Sequence, residues 1–129
     1  MTEKELLQRT KTFALRVIKL VNALPNSTSG RAIGNQLFRS GTSVAANYRA
    51  ACRGRSLTEF ISKLGIVEEE ADESCLWMEL IIEAEIMEGK LVTSLLKEAN
   101  EITAIIVASR KTAGTKQGIA NRNSKIANS

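Results

Sequence analysis

Leu6, Thr10, Phe13, Val17, Leu20, Val21 and Leu24 recur at steps of three and four residues, and Pro25 follows at once. At 100° per residue these seven positions share one stripe, the mark of a helix with a single core-facing side. Pro25 ends it, because a residue before proline avoids the helical region. The same period returns three more times. With Arg39 set at 0°, Leu37, Gly41, Val44, Tyr48, Ala51 and Cys52 fall between about 120° and 220° on a second helix. This helix begins at Gly30, with Ser29 of "NSTSG" as the expected N-cap, and stops at about Arg53 before Gly54. Ser56 with Glu59 three residues on reads as a capping box opening a third helix. Its stripe is Leu57, Phe60, Leu64, Val67, Ala71, Met78 and Ile81, and the helix is expected to run to about Met87 and end at Gly89. A fourth carries Leu91, Leu95, Leu96, Ala99, Ile102, Ile105 and Ile106 to about Ala113. Short loops between long helices make successive helices antiparallel neighbours. The fold class is therefore all-α: an antiparallel up-down four-helix bundle over residues 1–113. Residues 114–129, rich in Gly, Asn, Ser and Lys without periodicity, read as a disordered basic tail.

Composition agrees. A chain of 129 residues suits one domain. Aromatics are only 4% of it and proline occurs once, which disfavours an all-β fold. No apolar run approaches the ~18 residues a membrane span needs. The start "MTEKELLQRTK" lacks the apolar stretch of a signal peptide, so a cytoplasmic location without membrane attachment is expected. Cys52 and Cys75 suit a reducing compartment. In a hairpin turning near residue 55 they are offset by about 25 Å along the axis, beyond the ~7 Å reach of a disulfide. Both are expected to be small core fillers.

Much chemistry is missing. The chain has no histidine, which removes the commonest general base and metal ligand. No phosphate-binding glycine loop is present. Ser40, Thr42 and Ser43 have only lysines or carboxylates as activating bases. The acids of "EEEADE" lack the histidines that di-iron bundles use. We expect no catalytic activity, no metal and no cofactor.

Charge is segregated along the chain. Residues 25–55 carry five arginines and no acid, residues 56–88 carry ten acids and one lysine, and residues 110–129 carry five bases and no acid. On the second helix Arg31, Arg39, Arg49 and Arg53 share an arc of about 80° opposite the core, with Asn35, Thr42, Ala46 and Ala50 between them. A solvated face normally interleaves both signs. An arginine fork on a surface of small residues suits phosphate or carboxylate. Both partners stay open. Arg31, Arg49, Arg53 and Arg55, with Arg16 and Lys19 of the first helix, are candidates for phosphates of RNA or DNA. Hairpin counting instead sets Arg39 level with Glu70 and Glu73, Arg53 with Glu59 and Arg31 with Glu79. That supports pairing within the chain or across subunits. Trp77 shares a stripe with Glu70 and Glu73, as a core or interface anchor.

"RSGTSVAANYRAA" and "FISKLGIVEEEADESCLWMELI" carry a resemblance. Through Arg39, Ser43, Asn47 and Tyr48, then Phe60, Lys63, Leu64, Glu70, Glu73 and Trp77, roughly residues 5–110 resemble a bacterial family of four-helix-bundle proteins. These are encoded in intervening sequences of large-subunit ribosomal RNA genes. A related protein is the accessory variability determinant of diversity-generating retroelements, which binds a reverse transcriptase and RNA. The resemblance implies a ring-like homopentamer, no assigned activity for most members, and a possible reverse-transcriptase-type partner. Arg39, Asn47, Tyr48, Glu70, Glu73 and Trp77 are expected to be structural or interface residues. Ala50 stands where the family usually has an acid, which leaves this second helix more basic than usual.

Overall fold

A computed structural model describes residues 1–127. Four helices follow one another: α1 (Glu3–Ala23), α2 (Thr28–Cys52), α3 (Leu57–Glu83) and α4 (Gly89–Ala127). Each packs on its sequence neighbour and α4 closes the ring on α1, while neither diagonal pair approaches. This is the all-α up-down bundle. Its core is one cluster in which Phe13, Val17, Leu37, Val44, Leu64, Met78, Ile102 and Ile106 are fully buried.

The caps show where the chain turns. Thr2 caps α1 by accepting a bond from the Glu5 amide. Ser27, rather than Ser29, caps α2, accepting from the Gly30 amide at 3.1 Å. Ser56 accepts from the Glu59 amide, and the Glu59 carboxylate reaches back to the amide of Arg55 at 2.6 Å, one residue earlier than a strict capping box.

Three boundaries differ from the periodicity reading. First, α3 stops at Glu83 instead of about Met87. The Glu85 amide bonds to the Ile82 carbonyl and the Ile86 amide to the Ile81 carbonyl, the paired closure of a Schellman turn. Glu85 sits in the left-handed region with φ 55°, a position usually given to glycine. Second, Gly89 opens α4 instead of ending α3. Leu91 therefore stands 60% exposed on the first turn, and Val92 is the buried residue. Third, the chain from Gly114 continues as helix to Ala127 where an irregular tail was expected. Among the described residues Ala113 is the last buried one, and from Gly114 to Lys125 only Gln117 is even half-buried. Apolar periodicity reports packing, whereas helical hydrogen bonds continue without it. Asn128 and Ser129, the end of that expected tail, lie outside the described residues.

One contact sets how closely α1 approaches α2. A Cβ on Gly41 would lie 2.7 and 2.8 Å from the two γ-methyl carbons of Val17. Only a residue without a side chain fits. The α1–α4 seam is held differently. Arg9 donates from Nε and Nη2 to the two oxygens of Glu98, at 2.8 and 2.7 Å, and from Nη2 to Glu101 at 2.8 Å. The bond to Arg9 is the main reason that the Glu98 carboxyl titrates below its ordinary value of 4.5.

Two outcomes follow. Gly41→Ala should destabilise the fold by about 1–3 kcal/mol through overpacking, and adding Val17→Ala should recover part of that loss in a denaturation double-mutant cycle. Arg9→Gln should cost about 1 kcal/mol near neutrality. A carboxyl with a lowered folded pKa stabilises above its unfolded value and loses that stabilisation as pH falls through the folded one. The gap between wild type and Arg9→Gln should accordingly close as denaturation curves are taken below pH 4.5.

Candidate nucleic-acid interface

The antiparallel topology converts segregation along the chain into segregation along the bundle axis. At the end that holds the α3–α4 turn stand Glu79, Glu83, Glu85 and Glu88, all exposed. The opposite end gathers the last turns of α2, the first turns of α1 and α3, and the far part of α4. There stand Arg49, Arg53, Arg55, Lys4, Lys11, Lys63, Lys111 and Lys116. Gln117 donates to Thr58 Oγ1 at 2.7 Å, which sets residue 117 level with the start of α3. The ten residues beyond it extend about 15 Å past that level and add Arg122 and Lys125.

In the helix seams, arginines meet carboxylates. Arg39 donates to Glu70 at 3.0 Å and also to Glu73. These acids belong to its own chain. Arg110 pairs with Glu68 at 2.5 Å across the α3–α4 seam. Beside Arg39, the buried Ser40 and Ser74 hydroxyls share a bond of 2.9 Å. Neither the Arg9 cluster nor this serine pair was singled out in the sequence. Arg9 with Glu98 and Glu101, and Ser40 with Ser74, become visible only once the helices are laid side by side in register.

The six candidate phosphate ligands are not brought together. Arg31 lies near the other end, about 27 Å along α2 from Arg49, and donates to the carbonyl and side-chain oxygens of Asn26. It does not meet Glu79. Arg16 faces α4 and donates to Ser94 at 3.0 Å. Lys19 is exposed in the second half of α1. Arg49, Arg53 and Arg55 do cluster, and among the described residues no carboxylate pairs with their guanidinium groups. Arg53 leaves Glu59 unpaired although the two lie nearly level.

Two clefts flank this cluster. One, of about 860 Å³, opens in the α1–α2 seam and is lined by Lys4, Lys11, Arg49, Arg53, Ala46 and Cys52, together with Glu3 and Glu5. The other, of about 400 Å³, lies in the α2–α3 seam and is lined by Arg53, Arg55, Lys63, Ala50 and Thr58, with Glu59. Lys4, Lys11 and Lys63 were absent from the candidates. Counting the α1–α2 register from Val17 opposite Gly41 would have set Lys4 and Lys11 beside Arg53 and Arg49.

The remaining marked residues are internal. Asn47 donates to the Ser43 carbonyl at 2.9 Å. Tyr48 is buried, and burial first, then the neighbouring Cys52 thiol, raises its phenol far above the ordinary value. Cys75 is a core residue whose thiol burial pushes up to about 11. Cys52 is half-buried, packed against the core on one side and lining the α1–α2 cleft on the other; burial raises its thiol too. Both cysteines are free. Trp77 is half-buried against the core, with its indole N–H buried and unpartnered. Among the described residues no three Cys, Asp or Glu side chains gather as metal ligands would, and no helix is long and apolar enough to cross a membrane.

Residues 2–108 match the family described as 23S rRNA-intervening sequence protein. Among curated proteins none matches the chain. Of solved structures, a protein of unknown function from the S23 ribosomal protein family of Bacteroides thetaiotaomicron superposes with a TM-score of 0.80 at 32% identity. The alignment covers 86% of this chain and 99% of that one. The match over nearly the whole bundle, with the same four-helix fold, places this chain in the 23S rRNA-intervening sequence protein family.

Proposed function

We propose that this protein is a non-enzymatic oligomeric scaffold that binds RNA by its phosphates at the basic end of the bundle. The observation that carries this reading is the unpaired cluster of Arg49, Arg53 and Arg55. The chain has acids to neutralise them, yet among the described residues its arginine–carboxylate pairs are made by Arg9, Arg39 and Arg110 instead. Unpaired arginines around open clefts favour an external polyanion. A cytoplasmic location is consistent with that partner. Arg16, Lys19 and Arg31 are left out of this surface, because geometry separates them from it.

RNA binding should weaken steeply with salt. Arg49→Glu with Arg53→Glu should reduce affinity at least ~10-fold and lower the salt slope by about 1.4, at 0.7 per phosphate contact on a single strand. Fluorescence anisotropy across a salt series measures both. Binding that ignores salt and these changes, or no binding at low salt, sinks the proposal.

Self-association, to the homopentamer that the family resemblance implies, has its own support. Leu76 and Leu80 stand exposed on the outer face of α3 among unpaired acids, 47% and 37% accessible. Leu15 and Phe38 are exposed on the more basic α1–α2 side. Two faces of one chain that match in charge and apolar character suit a heterologous, ring-closing contact. Light scattering should give the mass of several chains, and Leu76→Glu with Leu80→Glu should reduce it to one. A wild-type mass of one chain would overturn the oligomer.

A further inference from the structure

The two clefts at the basic end are not independent. Arg53 lines both, and Ala46 and Ala50 lie one on each side of it. The last turns of α2 thus form a low crest between two basic hollows, with small residues where a ligand would cross. In the α1–α2 cleft four cations face two carboxylates, and in the α2–α3 cleft three face one. Each hollow keeps an excess of positive charge. The acids in them stand in the first turns of α1 and α3, where they complement the helix dipoles.

From this geometry we infer that the ligand is a single strand of nucleic acid that passes over α2 at Arg53, with phosphates in both clefts at once. The inference rests on the RNA-binding reading and specifies its substrate. A mononucleotide fills one hollow and leaves the other empty. A duplex is too stiff, because its persistence length is about 150 bp and the crest is one helix of about 10 Å across. Only a flexible strand bends over such a crest into hollows on both sides. No aromatic residue lines either cleft. Stacking of bases on aromatic rings is therefore absent from the contact, and recognition runs mainly through the sugar–phosphate backbone with little regard to sequence.

The test uses the full-length protein and labelled oligoribonucleotides at low salt. A strand of about twelve nucleotides should bind at least ~10-fold more tightly than a dinucleotide or than a duplex of equal length. Oligo-A and oligo-U should bind alike. Lys11→Glu reports on one cleft and Lys63→Glu on the other. Each should weaken the long strand several-fold, Arg53→Glu should weaken it more than either, and Arg31→Glu should have no effect. Thermal melts of the four variants check that the fold is intact. The crest is overturned if only one of Lys11→Glu and Lys63→Glu matters, if the duplex binds as well as the strand, or if the dinucleotide binds as tightly. In those cases the loss caused by Arg49→Glu with Arg53→Glu still upholds the broader RNA reading. If no RNA binds at low salt, that reading fails first and takes the crest with it.

Discussion

Two consecutive residues of α2 fix its register on α3. Arg39 reaches Glu70 and Glu73 on the outside of the seam, and Ser40 meets Ser74 inside it. A slip of one residue turns a helix by 100° and separates both pairs. Each bond is modest, since a net hydrogen bond contributes about 1 kcal/mol and an exposed ion pair less. Their joint effect is geometric. They set the acidic run of α3 against the middle of α2, so the last turns of α2 lie against the first turns of α3. There Glu59 is the one acid between Leu57 and Val67, and it bonds to the backbone of Arg55. The arginine cluster is unpaired because the register spends the acids elsewhere.

The seams of the ring differ in the same physical terms. α2–α3 carries the Arg39 and Ser40 contacts. α3–α4 carries Arg110 with Glu68, and Cys75 with Asn100 at 3.5 Å. α4–α1 carries the Arg9 cluster. Among the described residues the helices α1 and α2 share no ion pair; Val17 packs against Gly41, and Glu3 lies within hydrogen-bonding reach of the Cys52 thiol. Seven residues before Val17, at Thr10, the side chain bonds back into its own helix. Toward that end no ion pair holds the seam shut, and it is there that the larger cleft opens.

The bundle was legible because a core stripe leaves a signal at every turn. Leu6 to Leu20 and Leu37 to Ala51 are buried as their spacing requires. What depends on one backbone dihedral was not legible. Glu85 takes a left-handed conformation with no residue-type signature, so the end of α3, the start of α4 and the exposure of Leu91 were all misplaced. The far part of α4 was missed for another reason: it touches little, and without packing there is no period to read. Arg39 could be set beside its acids by counting from a well-marked turn. Lys4 and Lys11 could not, because the α1–α2 register depends on the Gly41 contact, which is tertiary.

The cations of the basic end divide by helix polarity. α2 finishes there, and positive charge near a helix C-terminus is favourable by a few tenths to about 1 kcal/mol. Arg49 in the last turn and Arg53 at the C-cap thus have an intramolecular rationale. Lys4 has the opposite placement, in the first turn of α1, where a helix favours acids. Glu3 and Glu5 already answer that preference. The helix dipole gives no stabilising reason for a lysine at this positive helix end, and among the described residues no carboxylate pairs with it. A feature that opposes local electrostatics and yet completes a concentrated positive surface is explained by a partner that brings negative charge.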